Sequence, residues 1–544
     1  MRAASSRWVA WAVVVGAFWL AGACRQSEQA SGSVVPKRAQ PALRIVAMTD
    51  VSGYLEPCGC QSKLLGGIDR AAAKLNALRA DHVPVMFVAA GDLLFGAPPE
   101  GATSEMDATT QETWKAETLV EFFNRMSLVA ATPGKRDLSF GAAELERLME
   151  RGKFAWLPAK PEAASAPEAV AGKLAKVGEI QVGIVGVSTF AGPEAELPTE
   201  RLKALTQRVQ SEVERLRGAG AQLVVGLISS DQRTGRRLTQ GVHGLTLVVQ
   251  AGLDDPATPA PAKNGEAALL RAGRQGQGLL VVDVYLSGQA PFVDVSEWTV
   301  AEQRAALQGR INELTQRIQA WERDPQVDKA GVAEQRSRLT ELSAELARLQ
   351  PAAAQLERSN AFRAAYVALS LEQPKDPQIT SLLGDYDARV NEHNRKAFAD
   401  VRPKPAPAGA PTYVGSATCQ SCHSPAYAWW TKHAHGRAYT TLERVHKQYN
   451  LSCVSCHVTG YGRPGGSSVV QNEGLTHVGC ESCHGPGSLH AKQPTAAEHK
   501  LTKHPTETVC KQCHTPDHSD LFEFQSYVSR LRAKGHGLPL ESAN

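Results

Sequence analysis

The chain has 544 residues, 42% of them hydrophobic and 21% charged, with a formal net charge of +4. That length suggests roughly three to four domains, and the apolar fraction excludes a wholly disordered or collagen-like chain. A charge of +4 over this length, with no Arg-rich run and no basic helix, excludes nucleic acid as a partner. Eight of the 11 Cys and thirteen of the 16 His lie after residue 400. The last part of the chain is built for metal or haem.

At the start, Arg2 and Arg7 precede an uncharged apolar run from Trp8 to Ala23. A basic start, an apolar stretch and small residues at its end read as a secretory signal. The run falls short of the ~20 residues a bilayer span needs. Cys24 follows Leu20-Ala-Gly-Ala directly, a stretch that resembles a bacterial lipobox with its Leu one position early. The expectation is a signal over residues 1–24 with lipid on Cys24, then a polar tether over 25–42. A plain signal peptide is the alternative. Either way the mature protein is expected in the periplasm, with the lipid as its membrane anchor.

Residues 43–298 alternate short β-branched runs with helical stretches. Expected strands are Leu43–Met48, Val85–Ala89, Ile180–Val187, Leu223–Ile228, Leu245–Val249 and Leu279–Tyr285. Expected helices include Gly67–Ala80, Glu112–Met126 and Thr199–Gly218. This alternation predicts an α/β layered sandwich. The strand–loop junctions are more specific. Met48-Thr-Asp50-Val-Ser52-Gly53 through Cys60, Leu65-Gly66-Gly67 and Ala89-Ala-Gly91-Asp92 carry a resemblance to the calcineurin-like metallophosphoesterase fold, in its bacterial 5′-nucleotidase branch. Weaker echoes are Gly134-Lys-Arg-Asp137, Ile228-Ser-Ser230 and Val249-Gln-Ala-Gly-Leu-Asp254.

That family uses two metal ions to stabilise attacking and leaving oxygens of a phosphate ester. The resemblance implies Asp50 as the first carboxylate ligand and Asp92 as the bridging one. The family's histidines are missing: Ser52 stands at one position, Lys135-Arg136 replaces an Asn-His pair, and Ser229 or Ser230 occupies another. Its Gly-His-x-His end is here Ala251-Gly252-Leu253-Asp254. Imidazole is not replaced by Ser, Lys or Arg in a working site. A divalent metal is therefore not expected, and phosphohydrolase activity is disfavoured. Lys135 and Arg136 either face Asp50 and Asp92 as a substitute charge or turn to solvent. Cys58 and Cys60 form a lone Cys-x-Cys, for which the resemblance implies a structural role.

Residues 299–401 read as a helical arm. Apolar positions recur as Val300, Leu307, Ile311, Leu314, Ile318 and Trp321, break at Asp324-Pro325, and resume from Val332 through Leu339, Leu342, Leu346, Leu349, Ala353 and Leu356. Steps of three, four and seven mark a coiled-coil seam. The short break favours an antiparallel hairpin, with a parallel dimer of two chains as the alternative. Residues 361–398 return to helical character, and the Pro-rich stretch 402–412 is expected as an extended linker.

The segment 413–544 holds four CxxCH motifs. Cys419 and Cys422, Cys453 and Cys456, Cys480 and Cys483, and Cys510 and Cys513 are each followed by a histidine: His423, His457, His484 and His514. Two thiols three positions apart attach the two vinyl groups of one haem, and the adjacent His reaches the iron as proximal ligand. A zinc site gives no reason for a His after every second Cys. The cofactors are thus four covalent c-type haems in ~130 residues, and porphyrin must supply much of the core. Nine further His, from His433 to His536, are available as sixth ligands.

The stretches Tyr413 to Cys419, Trp430-Thr-Lys-His433, Cys453 through Pro464 and Cys480 through His490 together resemble the tetrahaem cytochrome c-554 family. The resemblance implies a mostly helical fold around stacked haems, with His433 and His490 as first candidates for distal ligands. His435, His477 and His504 come next. The expected function is electron transfer through four haems, with the degenerate phosphoesterase-like domain as scaffold or dock. Redox proteins, either other cytochromes or a quinone-linked donor, are the expected partners. Two alternatives stand: a redox enzyme acting on a small nitrogen or oxygen species at an open haem, and a metal-dependent nucleotide or phosphate-ester hydrolase fused to a cytochrome. No catalytic residue is assigned.

Overall fold

The computed structural model describes residues 40–57, 64–96, 105–158, 168–190, 196–252, 262–264, 267–286, 292–294, 296–323, 329–348, 360–515, 518–519 and 521–538. The expectations for the signal and Cys24, for Cys58 and Cys60, for Leu253 and Asp254, and for the arm at Asp324-Pro325 and from Leu349 to Leu356 lie outside the described residues.

In chain order the strands are β1 (Leu43–Thr49), β2 (Val85–Gly91), β3 (Ala130–Pro133), β4 (Ala155–Trp156), β5 (Ala169–Val177), β6 (Ile180–Ser188) and β7 (Leu223–Ser229). They continue as β8 (Leu247–Ala251), β9 (Ala262–Asn264), β10 (Ala267–Leu270), β11 (Gly278–Tyr285), β12 (Phe292–Asp294) and β13 (Asn360–Ala368). The long helices are α1 (Ile68–Arg79), α2 (Glu105–Arg125), α3 (Ala142–Arg151), α4 (Thr199–Gly218), α5 (Gln232–Gly241), α6 (Glu297–Glu322), α7 (Lys329–Arg348) and α8 (Pro377–Ala397).

Two mixed sheets result. One runs β12-β13-β11-β1-β2-β3-β4 and the other β5-β6-β7-β8-β10-β9. Strands β1 to β4 are mutually parallel, as are β6, β7, β8 and β10, so the sequence between them must cross over, largely as helix. The central strands bury both faces, which is why they read as continuous apolar runs. Leu43, Ile45 and Ala47 of β1 and Met86, Val88 and Ala90 of β2 pack against Val182, Ile184, Leu223, Val225 and Val249 of the other sheet. The opposite register, Val46, Met48, Phe87 and Ala89, packs on α1, α2, α3 and α8. Val185, Val187, Val224 and Val248 pack on α4 and α5.

Residues 361–368 differ from the helical expectation. They belong to β13, which pairs antiparallel along the whole of β11 from Gly278↔Ala368 to Tyr285↔Ala361. Their alanines favour helix locally, but Phe362 and Ala364 bury in the inter-sheet core, and that packing overrides propensity. The chain therefore returns to the first sheet after the arm. In the arm, Leu307, Leu314 and Ile318 of α6 and Leu342 of α7 bury together, flanked by Ile311, Val332, Leu339 and Leu346. Helix α8 starts where Asp376 accepts the N–H groups of Gln378 (3.0 Å) and Ile379 (3.1 Å), with Pro377 in its first turn.

From Ala399 onward regular structure thins to short helices, four of which carry or adjoin the CxxCH motifs: Ser416–Cys419, Leu451–His457, Cys480–His484 and Glu507–Lys511. The Pro-rich stretch is extended but strapped down, with Gly465 N–H donating to Lys404 O (2.9 Å) and Thr412 N–H to Ser488 Oγ (2.8 Å). Everything described from Pro41 on belongs to one compact unit. No described helix is long and apolar enough to cross a membrane.

Candidate functional site

Two places in the chain gather chemistry. The first lies at the carboxyl ends of parallel strands, where α/β sheets place their ligand sites. Asp50 follows β1, Asp92 follows β2, Arg136 follows β3, Ser230 follows β7 and Gly252 follows β8. Asp50 sits at φ 47° and is buried. Its carboxylate accepts Gly252 N–H at 2.9 and 3.1 Å and Asp92 N–H at 3.3 Å. Asp92 Oδ1 accepts Arg136 N–H (2.7 Å), and the Arg136 Nε lies 3.6 Å from its Oδ2. Lys135 is exposed, so of the two basic residues Arg136 is the one at the carboxylates. Two glycines make the approach possible. A Cβ on Gly91 would overlap Asp50 Oδ1, and one on Gly134 would overlap Asp92 Oδ1.

Burial, reinforced by the neighbouring Asp92 charge, pushes the Asp50 carboxyl up to about 8 against the pull of the Gly252 and Asp92 N–H groups and Arg136. Asp137, to which the sequence pattern gives no role of its own, ties together the segments that follow β2 and β3. It is fully buried and accepts N–H groups from Leu93 (3.0 Å), Leu94 (2.7 Å) and Gly134 (3.0 Å). Ser52, Ser229 and Ser230 are buried, and the Ser52 hydroxyl donates to Asp50 O at 3.2 Å. Among the described residues no group of three or more His, Cys, Asp or Glu could hold a metal ion. Among the described residues here, the Asp50 and Asp92 carboxylates already face N–H groups, with one guanidinium beside them. They do not fit a two-metal centre.

The second place is the set of CxxCH motifs, and here the residues fit their cofactor. A ligating imidazole is fixed when its Nδ1–H donates to a backbone carbonyl, leaving Nε2 for the metal. His457 Nδ1 lies 2.6 Å from Ala438 O and His484 Nδ1 lies 2.6 Å from Thr502 O. His514 Nδ1 meets Ser519 Oγ at 3.0 Å, and His536 Nδ1 meets Leu531 O at 2.6 Å. Three proximal rings each face a second imidazole. Ring centroids are 6.4 Å apart for His423 and His490, 6.2 Å for His514 and His435, and 6.1 Å for His484 and His536. An iron about 2 Å from a nitrogen of each ring leaves centroids roughly 6 Å apart. Burial also pushes His435 down to about 4, which keeps it in the neutral form that binds metal.

The remaining distal candidates sit differently. His433 stacks on Trp429 at 4.7 Å and accepts the His435 N–H on its Nδ1 (3.2 Å). His477 accepts Tyr439 N–H at 3.1 Å, and His504 is exposed. His536 is one of the nine available histidines and has no motif around it; 52 residues separate it from His484. Glu481, inside the third motif, carries no sequence signal either. It is buried and accepts N–H groups from Val414 (3.0 Å), Gly415 (2.7 Å) and Gly487 (2.7 Å), tying the first and third motifs together. The thiols of Cys419 and Cys480 touch, as do those of Cys456 and Cys513, while Cys483 lies near Cys510.

Fold and sites divide the chain into two kinds of part: a two-sheet α/β region and a segment of CxxCH motifs. Comparison with known proteins separates the same two. Residues 418–485 match the family model described as cytochrome c554 and c-prime. Cytochrome c-554 of Nitrosomonas europaea is 31% identical over 151 residues, 24% of this chain and 62% of that protein. Snake venom 5′-nucleotidase of Gloydius brevicauda is 26% identical over 253 residues, 44% of this chain and 39% of that protein. The structure of a 5′-nucleotidase precursor from Thermus thermophilus aligns with a TM-score of 0.41 at 15% identity, covering 67% of this chain and 61% of that one. The C-terminal part thus has cytochrome c-554 relatives and the N-terminal part 5′-nucleotidase and calcineurin-like phosphoesterase neighbours. The chain spans less than two thirds of either sequence relative.

Proposed function

We propose that this protein is an exported multihaem cytochrome that passes electrons through four covalent c-type haems, with the sandwich as a non-hydrolytic scaffold. The observation that carries this reading is the facing of three proximal histidines by second imidazoles. Haem bound there would supply one-electron chemistry. The chain's own residues would hold it: the eight motif cysteines by thioethers, and His423 with His490, His514 with His435, and His484 with His536 through their imidazoles. Two strong ligands on an iron leave no open position for substrate and favour electron transfer. The neighbouring cysteines support a spatial order of first, third, fourth and second motif. Adjacent motifs keep electron steps short.

The hydrolase alternative is disfavoured by the residue types at these strand ends, where Arg136 stands beside Asp92 at a position the resemblance gives to a histidine. Export by the N-terminal signal, lipid on Cys24 and a cytochrome or quinone-linked redox partner belong to the same proposal. So does a layered sandwich of the phosphoesterase kind. The arm is assigned as an antiparallel hairpin of the coiled-coil type rather than a dimer seam, because its Leu307, Leu314, Ile318 and Leu342 already bury one another within one chain.

The test is a haem count per chain on the purified holoprotein, followed by its dithionite-reduced optical spectrum with and without carbon monoxide. Four haems are expected, with no carbon monoxide shift at the three irons whose histidines pair. A shift in about a quarter of the haem absorbance, the signature of one open iron, would replace the carrier reading by the small-molecule redox enzyme.

A further inference from the structure

The second CxxCH motif is not enclosed by the cytochrome segment alone. Its helix, Leu451–His457, is capped by Asn450, whose side chain accepts Ser452 N–H at 2.9 Å. Asn450 Oδ1 also accepts from Gln111 Nε2 (3.0 Å) on α2 of the sandwich. Gln111 Oε1 takes the Leu451 N–H (3.0 Å) and the Asn394 amide (3.0 Å), and Asn394 on α8 also donates to Tyr449 O (2.9 Å). Gln111 and Asn394 are 1% and 0% exposed, so this knot is buried and specific.

Beside it, Lys447 pairs with Glu56 from the loop after β1 and lies 3.4 Å from Asp387 of α8. Lys447 and Tyr386 both lie in the neighbourhood of Cys453. Tyr386 is 7% exposed, and its hydroxyl is buried without a hydrogen-bond partner. Buried oxygens of Asn391 and Gln448 on the same seam also lack partners. A buried phenol left unsatisfied is costly, so several such atoms beside one motif point to a group that fills the seam.

We infer that the second haem site is a shared pocket: α8 and the loop after β1 form one wall of it, with Tyr386 and the Glu56–Lys447–Asp387 group facing the haem attached at Cys453. The inference rests on the four-haem reading and deepens it. The sandwich then acts on one haem of the four, as a fixed electrostatic wall. Burial pushes the Asp387 carboxyl up and the Lys447 ammonium down, so the wall sits where charges are poorly screened and a redox charge is felt strongly. Removing a negative charge there makes reduction easier, and removing the positive one makes it harder.

The experiment is an optical potentiometric titration of the full holoprotein and three conservative variants, each with its haem count. Glu56→Gln should move one midpoint potential up, Lys447→Gln should move the same midpoint down, and Tyr386→Phe should move that midpoint and no other. Four bound haems with all midpoints unmoved would overturn the shared pocket. So would a uniform drift of all four, which a merely structural role would give. A wild-type count below four haems would instead remove the reading on which the inference rests.

Discussion

At the ends of β1, β2 and β3, Asp50 and its neighbours favour a protonated carboxyl. An Asp ionises near 3.8 when unperturbed, whereas burial and the Asp92 charge hold Asp50 protonated up to about 8. Between those values the folded state binds a proton that the unfolded chain has lost. The stability linked to Asp50 is therefore complete below about pH 4 and is lost as pH rises to and through 8. Asp50→Asn cannot ionise and should show a flatter decline. Thermal unfolding of the holoprotein between about pH 5 and 9 reads this directly. Wild type should lose more Tm than the variant, with the gap widening toward the alkaline end. Equal slopes would mean Asp50 is ionised throughout, which is the state a bound cation would produce.

Among the elements, the short-range pattern carries most of the sandwich. Each expected strand from Leu43–Met48 to Leu279–Tyr285 overlaps an observed one, because β-branched runs buried on two faces have no polar alternation to confuse them. Thr199–Gly218 is helical over its expected span. What escapes is long-range. Strand β13 joins the sheet by pairing with β11 from the far side of the arm, and nothing in Asn360–Ala368 records that partner. The candidate site divides the same way. The CxxCH spacing that covalent haem attachment would require is legible in the chain, while a second imidazole facing it needs only to arrive in space. His490 and His435 lie close to motif residues in sequence; His536 does not, and it faces His484 from the far end of the segment. The axial pairs give a sharp expectation. His536→Ala should open one haem in four to carbon monoxide, seen as a partial shift in the reduced spectrum, whereas exposed His504→Ala should change nothing.

Over the chain as a whole, apolar burial is distributed unequally between the two parts. Three large clusters hold the two sheets, α1 to α5 and the Ile379, Leu383, Tyr386 and Val390 face of α8, and a small separate one closes the arm. Beyond α8 the described apolar core is a single cluster of buried residues: Phe398, Tyr439, Val454, Val458 and Val469. So few side chains cannot offset the conformational entropy of ordering a segment of that length. On the proposed reading, porphyrin faces provide the missing surface and thioether attachment precedes stable folding there. Protein made without haem attachment should therefore separate into two behaviours under limited proteolysis. Cleavage should run through residues 398–538, leaving a resistant core that ends near the close of α8 at Ala397, while the holoprotein resists over both parts. Digestion of the whole haem-free chain would show instead that the sandwich depends on the cytochrome through Gln111, Asn394 and Lys447. In that case the seam between the parts, more than the three apolar clusters, would hold the sandwich together.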